Sequence, residues 1–189
     1  MAEPVNAPHY ERIPTFPDSN RSGELVHAVI ETPRNIRHKY AFDEKYGLFR
    51  QRQLLPEGLT WPYDYGFIPQ TLAADGDPLD VLYLTSVPTF TGCLVQCRVL
   101  GIVRLREDGV KNDRVLTAPE RRPDIGQQTD AYDDAEDIPK QTIDGIVRFL
   151  IEYPDAAGHK MEFDGVKSKK KALTAIEDAV DAYRRQRSH

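Results

Sequence analysis

Cysteine and long apolar runs are scarce in this sequence, basic charge is outnumbered by acidic, and each shortage excludes something. Only two cysteines occur in 189 residues, so no disulfide framework holds the chain. Cys93 and Cys97 lie in one strand-like run. At about 3.3 Å per residue their Cα atoms would stand ~13 Å apart, beyond reach of a mutual disulfide. Two small thiols in a reducing cytoplasm are expected. No apolar run approaches the roughly 18 residues of a membrane span. The opening Met-Ala-Glu-Pro-Val-Asn lacks the basic and apolar regions of a signal peptide, so no membrane partner is expected. Lys plus Arg number 25 against 30 Asp plus Glu, for a net charge of -5. A nucleic-acid binder normally shows a basic surplus, so no nucleic-acid partner is expected either. No internal repeat or low-complexity segment is present.

What remains is enough chain for one domain with its own core. Residues 1–20, with Pro4, Pro8, Pro14 and Pro17, read as an N-terminal arm, and 21–189 as a single domain. Short β-like runs follow the arm. Glu24 to Glu31 is apolar and β-branched, and Ile36 to Phe42 and Gly47 to Gln53 flank a hairpin turn near Asp43. Leu79 to Leu84 is apolar on both faces, as a buried strand is. Cys93 to Leu105 alternates, with Gly101 marking a bulge or bend, and Val110 to Ala118 returns after Glu107-Asp108-Gly109. Residues 119–138 read as a long polar loop. Helical periodicity then appears over about 139–153 and again over about 168–187, with apolar stripes that read as core packing. Strands first and helices last predict an α+β domain, mainly β, with a curled antiparallel sheet spanning about 24–118.

The most informative stretch is Asp75-Gly76-Asp77-Pro78-Leu79-Asp80, three carboxylates within six residues at the mouth of an apolar strand. Such carboxylates repel one another unless a cation sits between them. Mg²⁺ suits the place, because it takes a few carboxylates and completes its shell with water and phosphate oxygens. Asp, Gly and Pro also dominate ordinary turns, and Asp75 to Pro78 alone reads equally well as one. Asp80 tilts the balance, since a carboxylate at the edge of a buried run needs a partner. Lys39 and Arg52 lie across the upstream hairpin, where they can meet on one face and hold phosphate oxygens. The aromatic segment from Trp61 to Pro69 reads as packing in preference to base stacking, given the acidic background.

Lys39-Tyr40, Leu48-Phe49 with Arg52, Pro62-Tyr63-Asp64-Tyr65-Gly66-Phe67-Ile68 and the acidic hexad occur in the order and spacing of soluble family I inorganic pyrophosphatases. The chain resembles that family from about Glu31 to Pro119, and more weakly as far as Tyr153. The resemblance implies an OB-like five-stranded closed barrel with two helices packed outside it. It implies hydrolysis of pyrophosphate by metal-activated water with several Mg²⁺ ions, and a homo-oligomer. By position it makes Asp75, Asp77 and Asp80 metal ligands, with Asp77 also orienting the attacking water. Lys39, Arg52 and Tyr153 become phosphate contacts, Tyr65 lines the site, and Glu31 is an outer active-site acid.

The chain also departs from the family pattern. Ala41 stands where the family has an acid, and Pro154 where Tyr is followed by Lys. After the long strand the family has two Asp five apart and a Lys two further on. Asp108 and Asp113 keep the first spacing and are the preferred metal ligands, with Arg114 as the cation. Counting back from Pro119 instead makes Asn112 and Arg114 the equivalents. The two registers exclude one another, because a shift of one residue flips a strand's faces. His159 and Lys160 are weaker candidates to replace the missing Lys. The departures keep open a weakened relative that binds a phosphorylated ligand or protein partner, or one that hydrolyses a different phosphoanhydride.

Overall fold

Five strands hydrogen-bond in a ring. In this computed structural model, which describes residues 10–20, 23–121, 132–155 and 158–188, the elements are β1 (Leu25–Thr32), β2 (His38–Asp43), β3 (Leu48–Leu54), β4 (Asp64–Phe67), β5 (Asp80–Tyr83), β6 (Leu94–Glu107), β7 (Val110–Lys111), β8 (Arg114–Pro119), α1 (Lys140–Asp155), β9 (Met161–Ser168) and α2 (Lys169–Arg187). The ring runs β1, β4, β5, β8, β6 and returns to β1. β7 and β9 both pair with the long β6. The mainly β character and the two helices agree with expectation.

The architecture differs from the expected one in four ways. The sheet is not wholly antiparallel: β5 and β8 pair in parallel, with Asp80 opposite Arg114. The β2–β3 hairpin forms its own two-stranded sheet outside the ring. Residues 64–67, read from sequence as aromatic packing, form β4, and residues 161–168 form β9, which had no strand reading. Only Met161 and Val166 of β9 join the core at its edge, while Glu162, Asp164 and Lys167 are charged. Its strand conformation therefore comes from hydrogen bonds to β6 and not from an apolar alternation.

Both faces of the ring strands are buried, as the double-sided apolarity of residues 79–84 requires. Val81 and Tyr83 join a cluster with Ile176 and Val180 of α2. Leu82 and Leu84 join another with Ile146, Phe149 and Leu150 of α1. Two glycines permit this closeness. A Cβ on Gly66 would lie 2.0 Å from the Val29 carbonyl oxygen, so β1 and β4 pack together only because none is there. A Cβ on Gly101 would meet Ala135 Cβ at 2.5 Å, and the β6–β8 register shifts between Val99 and Gly101.

Of the expected arm, residues 1–9 lie outside the described residues. The remainder packs against the sheet: Thr15 Oγ1 donates to the Pro69 carbonyl at 2.8 Å, and Glu11 pairs with Arg187 of α2 at 2.8 Å. Of the expected loop, residues 122–131 lie outside the described residues. Asp134 Oδ2 accepts the Lys169 N–H at 3.1 Å, so this aspartate caps the start of α2 from outside the helix.

Candidate active site

The turn before β5 is built by its own polar groups. Asp75 Oδ1 accepts the Asp77 N–H at 3.1 Å, Gly76 takes φ +93°, and the Ala73 N–H donates to the Asp77 carbonyl at 2.8 Å. Thr71 clamps the turn's base, its Oγ1 donating to Ile68 O at 2.6 Å and accepting the Leu79 N–H at 2.9 Å. Asp75, Asp77 and Asp80 thereby face a cleft of about 830 Å³, which Glu31, Lys39, Arg52, Tyr65 and Arg114 also line.

The cations arrive from two directions. Lys39 pairs with Gln53 across the hairpin, and the register shifts between Lys39 and Tyr40. Without that bulge Arg52, adjacent to Gln53, would point to the opposite face from Lys39; with it, both reach the cleft. Lys39 Nζ donates to the Tyr153 hydroxyl at 3.4 Å and stands 5.8 Å from the Tyr65 ring centre. Tyr153, on α1, lies behind Lys39 and is buried with Trp61, Tyr65 and Phe149. Arg52 also pairs with Asp43 at 3.5 Å, a carboxylate that Arg50 holds below its ordinary range.

Arg114 comes from β8 and is only 2% exposed. Its Nη1 pairs with Asp80 at 2.8 Å and donates to the carbonyls of Asn112 at 2.7 Å and Asp113 at 3.1 Å, and to the Asn112 side-chain oxygen. Burial works against its charge, but Asp80, then Tyr65, Tyr153 and Glu107, hold its pKa above the ordinary value. Tyr65 is pushed well above its usual range, chiefly by burial. Burial also raises Asp75, with Asp80 and Asp77 adding to the effect against the Asp77 N–H and Arg114. Glu31, buried in β1, is raised to about 8 by desolvation, although its Oε1 accepts the Phe42 N–H at 2.7 Å.

The two preferred candidates between β6 and β8 do not line the cleft. Asp113 neighbours Arg114 in sequence and points the other way, as alternation demands. Its carboxylate is taken by Arg104, by Lys111 at 3.2 Å and by the Leu105 N–H at 3.1 Å. Asp108 sits at the hairpin tip with φ +50°, accepts the Lys160 N–H at 2.9 Å and pairs with His159 at 3.0 Å. Asn112 lines the cleft instead, so the register counted back from Pro119 is the observed one. Glu107, which sequence reasoning passed over, lines it too, its Oε2 accepting Asn112 Nδ2 at 2.6 Å. The same count from Pro119, carried back across the turn, would have pointed to Glu107. Neither His159 nor Lys160 lines the cleft; Lys160 pairs with Glu162 at 2.7 Å. Among the described residues no three His, Cys, Asp or Glu side chains converge as a ready-made metal cage.

A ring of strands carrying opposed carboxylates and cations in one cleft defines a phosphate-handling protein by its chemistry. Residues 28–184 match the family model described as inorganic pyrophosphatase, and the chain belongs to that family. An inorganic pyrophosphatase of Haloferax volcanii is 36% identical over 159 residues, which cover 84% of this chain and 88% of that protein. One from Geobacillus stearothermophilus is 31% identical over 164 residues, covering 87% and 97%. The crystal structure of inorganic pyrophosphatase from Thermus thermophilus superposes with a TM-score of 0.82 at 30% identity, covering 93% of this chain and 98% of that one. The OB-like fold implied by the resemblance is the fold of these relatives. No helix among the described residues is long and apolar enough to cross a membrane.

Proposed function

We propose that this protein hydrolyses inorganic pyrophosphate to two phosphates in the cleft bounded by β2, β3, β5 and β8. The observation that carries the reading is that Lys39, Arg52 and Arg114 line one cavity together with Asp75, Asp77 and Asp80. Its family membership supports the same reaction. Phosphoryl transfer asks a protein mainly for positioning and charge neutralisation, and this arrangement offers both.

The donors facing the cleft also fit Mg²⁺. They are carboxylate oxygens, hard ligands, and burial, with repulsion from Asp80 and Asp77 adding to it, raises the pKa of Asp75. They do not form a closed cage, which suits a small cation that retains water and takes substrate oxygens. Asp75 and Asp77 would hold it, beside the Asp80–Arg114 pair. Bound there, Mg²⁺ supplies a lowered pKa for water and neutralisation of phosphate charge.

The protein's own groups do the rest. Lys39 and Arg52 donate to oxygens of one phosphate, and Tyr153 positions Lys39 from behind. Arg114 donates to the other phosphate and steadies Asp80. Asp77 orients the attacking water and accepts the proton it sheds. The water oxygen bonds to one phosphorus as the bridging oxygen leaves with the other. Tyr65 and Glu31, both buried, close the wall. Assembly as a homo-oligomer in a reducing cytoplasm completes the reading, and both thiols, Cys93 and Cys97, are free.

The test is phosphate release from pyrophosphate with and without Mg²⁺, beside Asp77→Asn. Mg²⁺-dependent release by the wild type, reduced at least about a hundredfold in the variant, is expected. Equal rates for the two proteins would sink the assignment.

A further inference from the structure

Around Arg114 the cleft offers less uncommitted negative charge than its acids suggest. Asp80 is already paired with the guanidinium at 2.8 Å. Glu107 accepts Asn112 Nδ2 at 2.6 Å and stands 3.6 Å from His159 Nδ1. Glu31 accepts the Phe42 N–H, and burial disfavours its ionised form. Position 112 presents a neutral amide and position 41 a methyl group. Asp113, the nearest acid in sequence, faces away and is matched by Arg104 and Lys111. Asp77 and Asp75, which gives one oxygen to the Asp77 N–H, remain side by side in one turn without a cationic partner as close as that of Asp80.

Arg114 meanwhile places a permanent positive charge beside Asp80, on the wall of the same cleft. Its guanidinium is clamped by the Asn112 carbonyl, the Asn112 side-chain oxygen and the Asp113 carbonyl. Its Nε–H is buried with no protein partner, although the side chain lines the cleft. A buried N–H of that kind needs an acceptor, and a phosphate oxygen entering the cleft would supply one. A divalent cation brought beside Asp80 would instead have to share that carboxylate with the guanidinium at short range, in surroundings that screen poorly.

Resting on the hydrolase reading above, we propose that Arg114 takes the place of a divalent cation beside Asp80. The substrate-free cleft then binds one divalent cation per chain, on Asp75 and Asp77. Further cations enter only with phosphate oxygens that contribute new ligands. Asn112 enforces this count, because an aspartate there would share the guanidinium and release Asp80 to a second metal ion.

The experiment is a Mn²⁺ titration of the full chain in phosphate-free buffer, with free Mn²⁺ read by electron paramagnetic resonance. Wild type, Asp77→Asn and Asn112→Asp are compared, with folding checked by circular dichroism. Expected are one Mn²⁺ per chain for wild type, loss of that site in Asp77→Asn, and two Mn²⁺ in Asn112→Asp. Two or more ions on the wild type, none at all, or an unchanged count in folded Asn112→Asp each overturn the proposal. If Asn112→Asp does not fold, Arg114→Gln, which also releases Asp80, must gain the second ion; the wild-type count decides alone if neither folds. Phosphate release is measured on the same wild-type preparation. One bound ion without turnover removes the hydrolase reading and leaves this inference standing, whereas turnover with two bound ions does the reverse.

Discussion

Arg114 stands opposite Asp80 in the parallel pairing of β5 with β8, and its Nη1 lies 2.8 Å from the Asp80 carboxylate. The pair is set by backbone register, not by two flexible side chains meeting on a surface. Removing one member of a buried ion pair leaves the other charge uncompensated. Arg114→Met is therefore expected to lower the stability of the metal-free protein by about 3–5 kcal/mol. Denaturant midpoints measure this, and a loss no larger than for an exposed arginine such as Arg106 would contradict it.

Asp113 separates the two registers between β6 and β8, and Asp77 supplies the contrast. Asp113 holds Arg104, Lys111 and the Leu105 N–H away from the cleft. Asp113→Asn should thus cost about 1–3 kcal/mol of stability while leaving kcat/KM per folded molecule within about twofold. Asp77→Asn should do the opposite. A large fall in kcat/KM for folded Asp113→Asn would restore that residue to the site.

Glu31 makes the metal-free protein sensitive to pH. Its carboxyl has an ordinary value of 4.5 and is pushed up to about 8 in the folded chain, first by desolvation. Between those values the folded state keeps a proton that the unfolded chain has released. Stability is therefore fully present below about 4.5 and declines as pH rises towards 8, by at most about 1.4 kcal/mol per pH unit from this group. Glu31→Gln should remove that part of the slope. Unfolding curves at pH 5, 6, 7 and 8 in chelator test it, and parallel slopes for the two proteins would refute it.

Gly66 tests the packing of the ring. A methyl group there would collide with the Val29 carbonyl at 2.0 Å, and backbone on both sides cannot swing aside as a side chain can. Gly66→Ala is expected to lose about 3 kcal/mol or more, at the upper end of overpacking costs. With Tyr65 on the same short strand, activity should fall along with stability. A variant with wild-type thermal midpoint would show that β1 and β4 are not so closely apposed.

Much of the site was legible in the sequence because it is local. The turn from Asp75 to Asp80 is built from its own Asp, Gly and Pro chemistry, so three carboxylates are delivered to one place within six residues. The hairpin that carries Lys39 and Arg52 was readable from its turn, β5 from a run apolar on both faces, and the two helices from apolar periodicity. The bulge that brings both cations to one face has no comparable signal, since neither Lys39 nor Arg52 marks it.

Tertiary structure decided what depends on register between distant strands. Whether Asn112 or Asp113 faces the cleft turns on a single-residue shift, which local spacing leaves open and the pairing of Asp80 with Arg114 settles. The parallel pairing of β5 with β8 and the addition of β9 to β6 are likewise invisible to a pattern that reads one strand at a time. Tyr153 reaches Lys39 only because α1 packs Phe149 and Tyr153 around Trp61. The sequence alone thus determined which charged groups exist and the turn that clusters the aspartates. Only the closed arrangement of strands decided which cation they face, because backbone hydrogen bonding between remote segments determines on which side each side chain emerges.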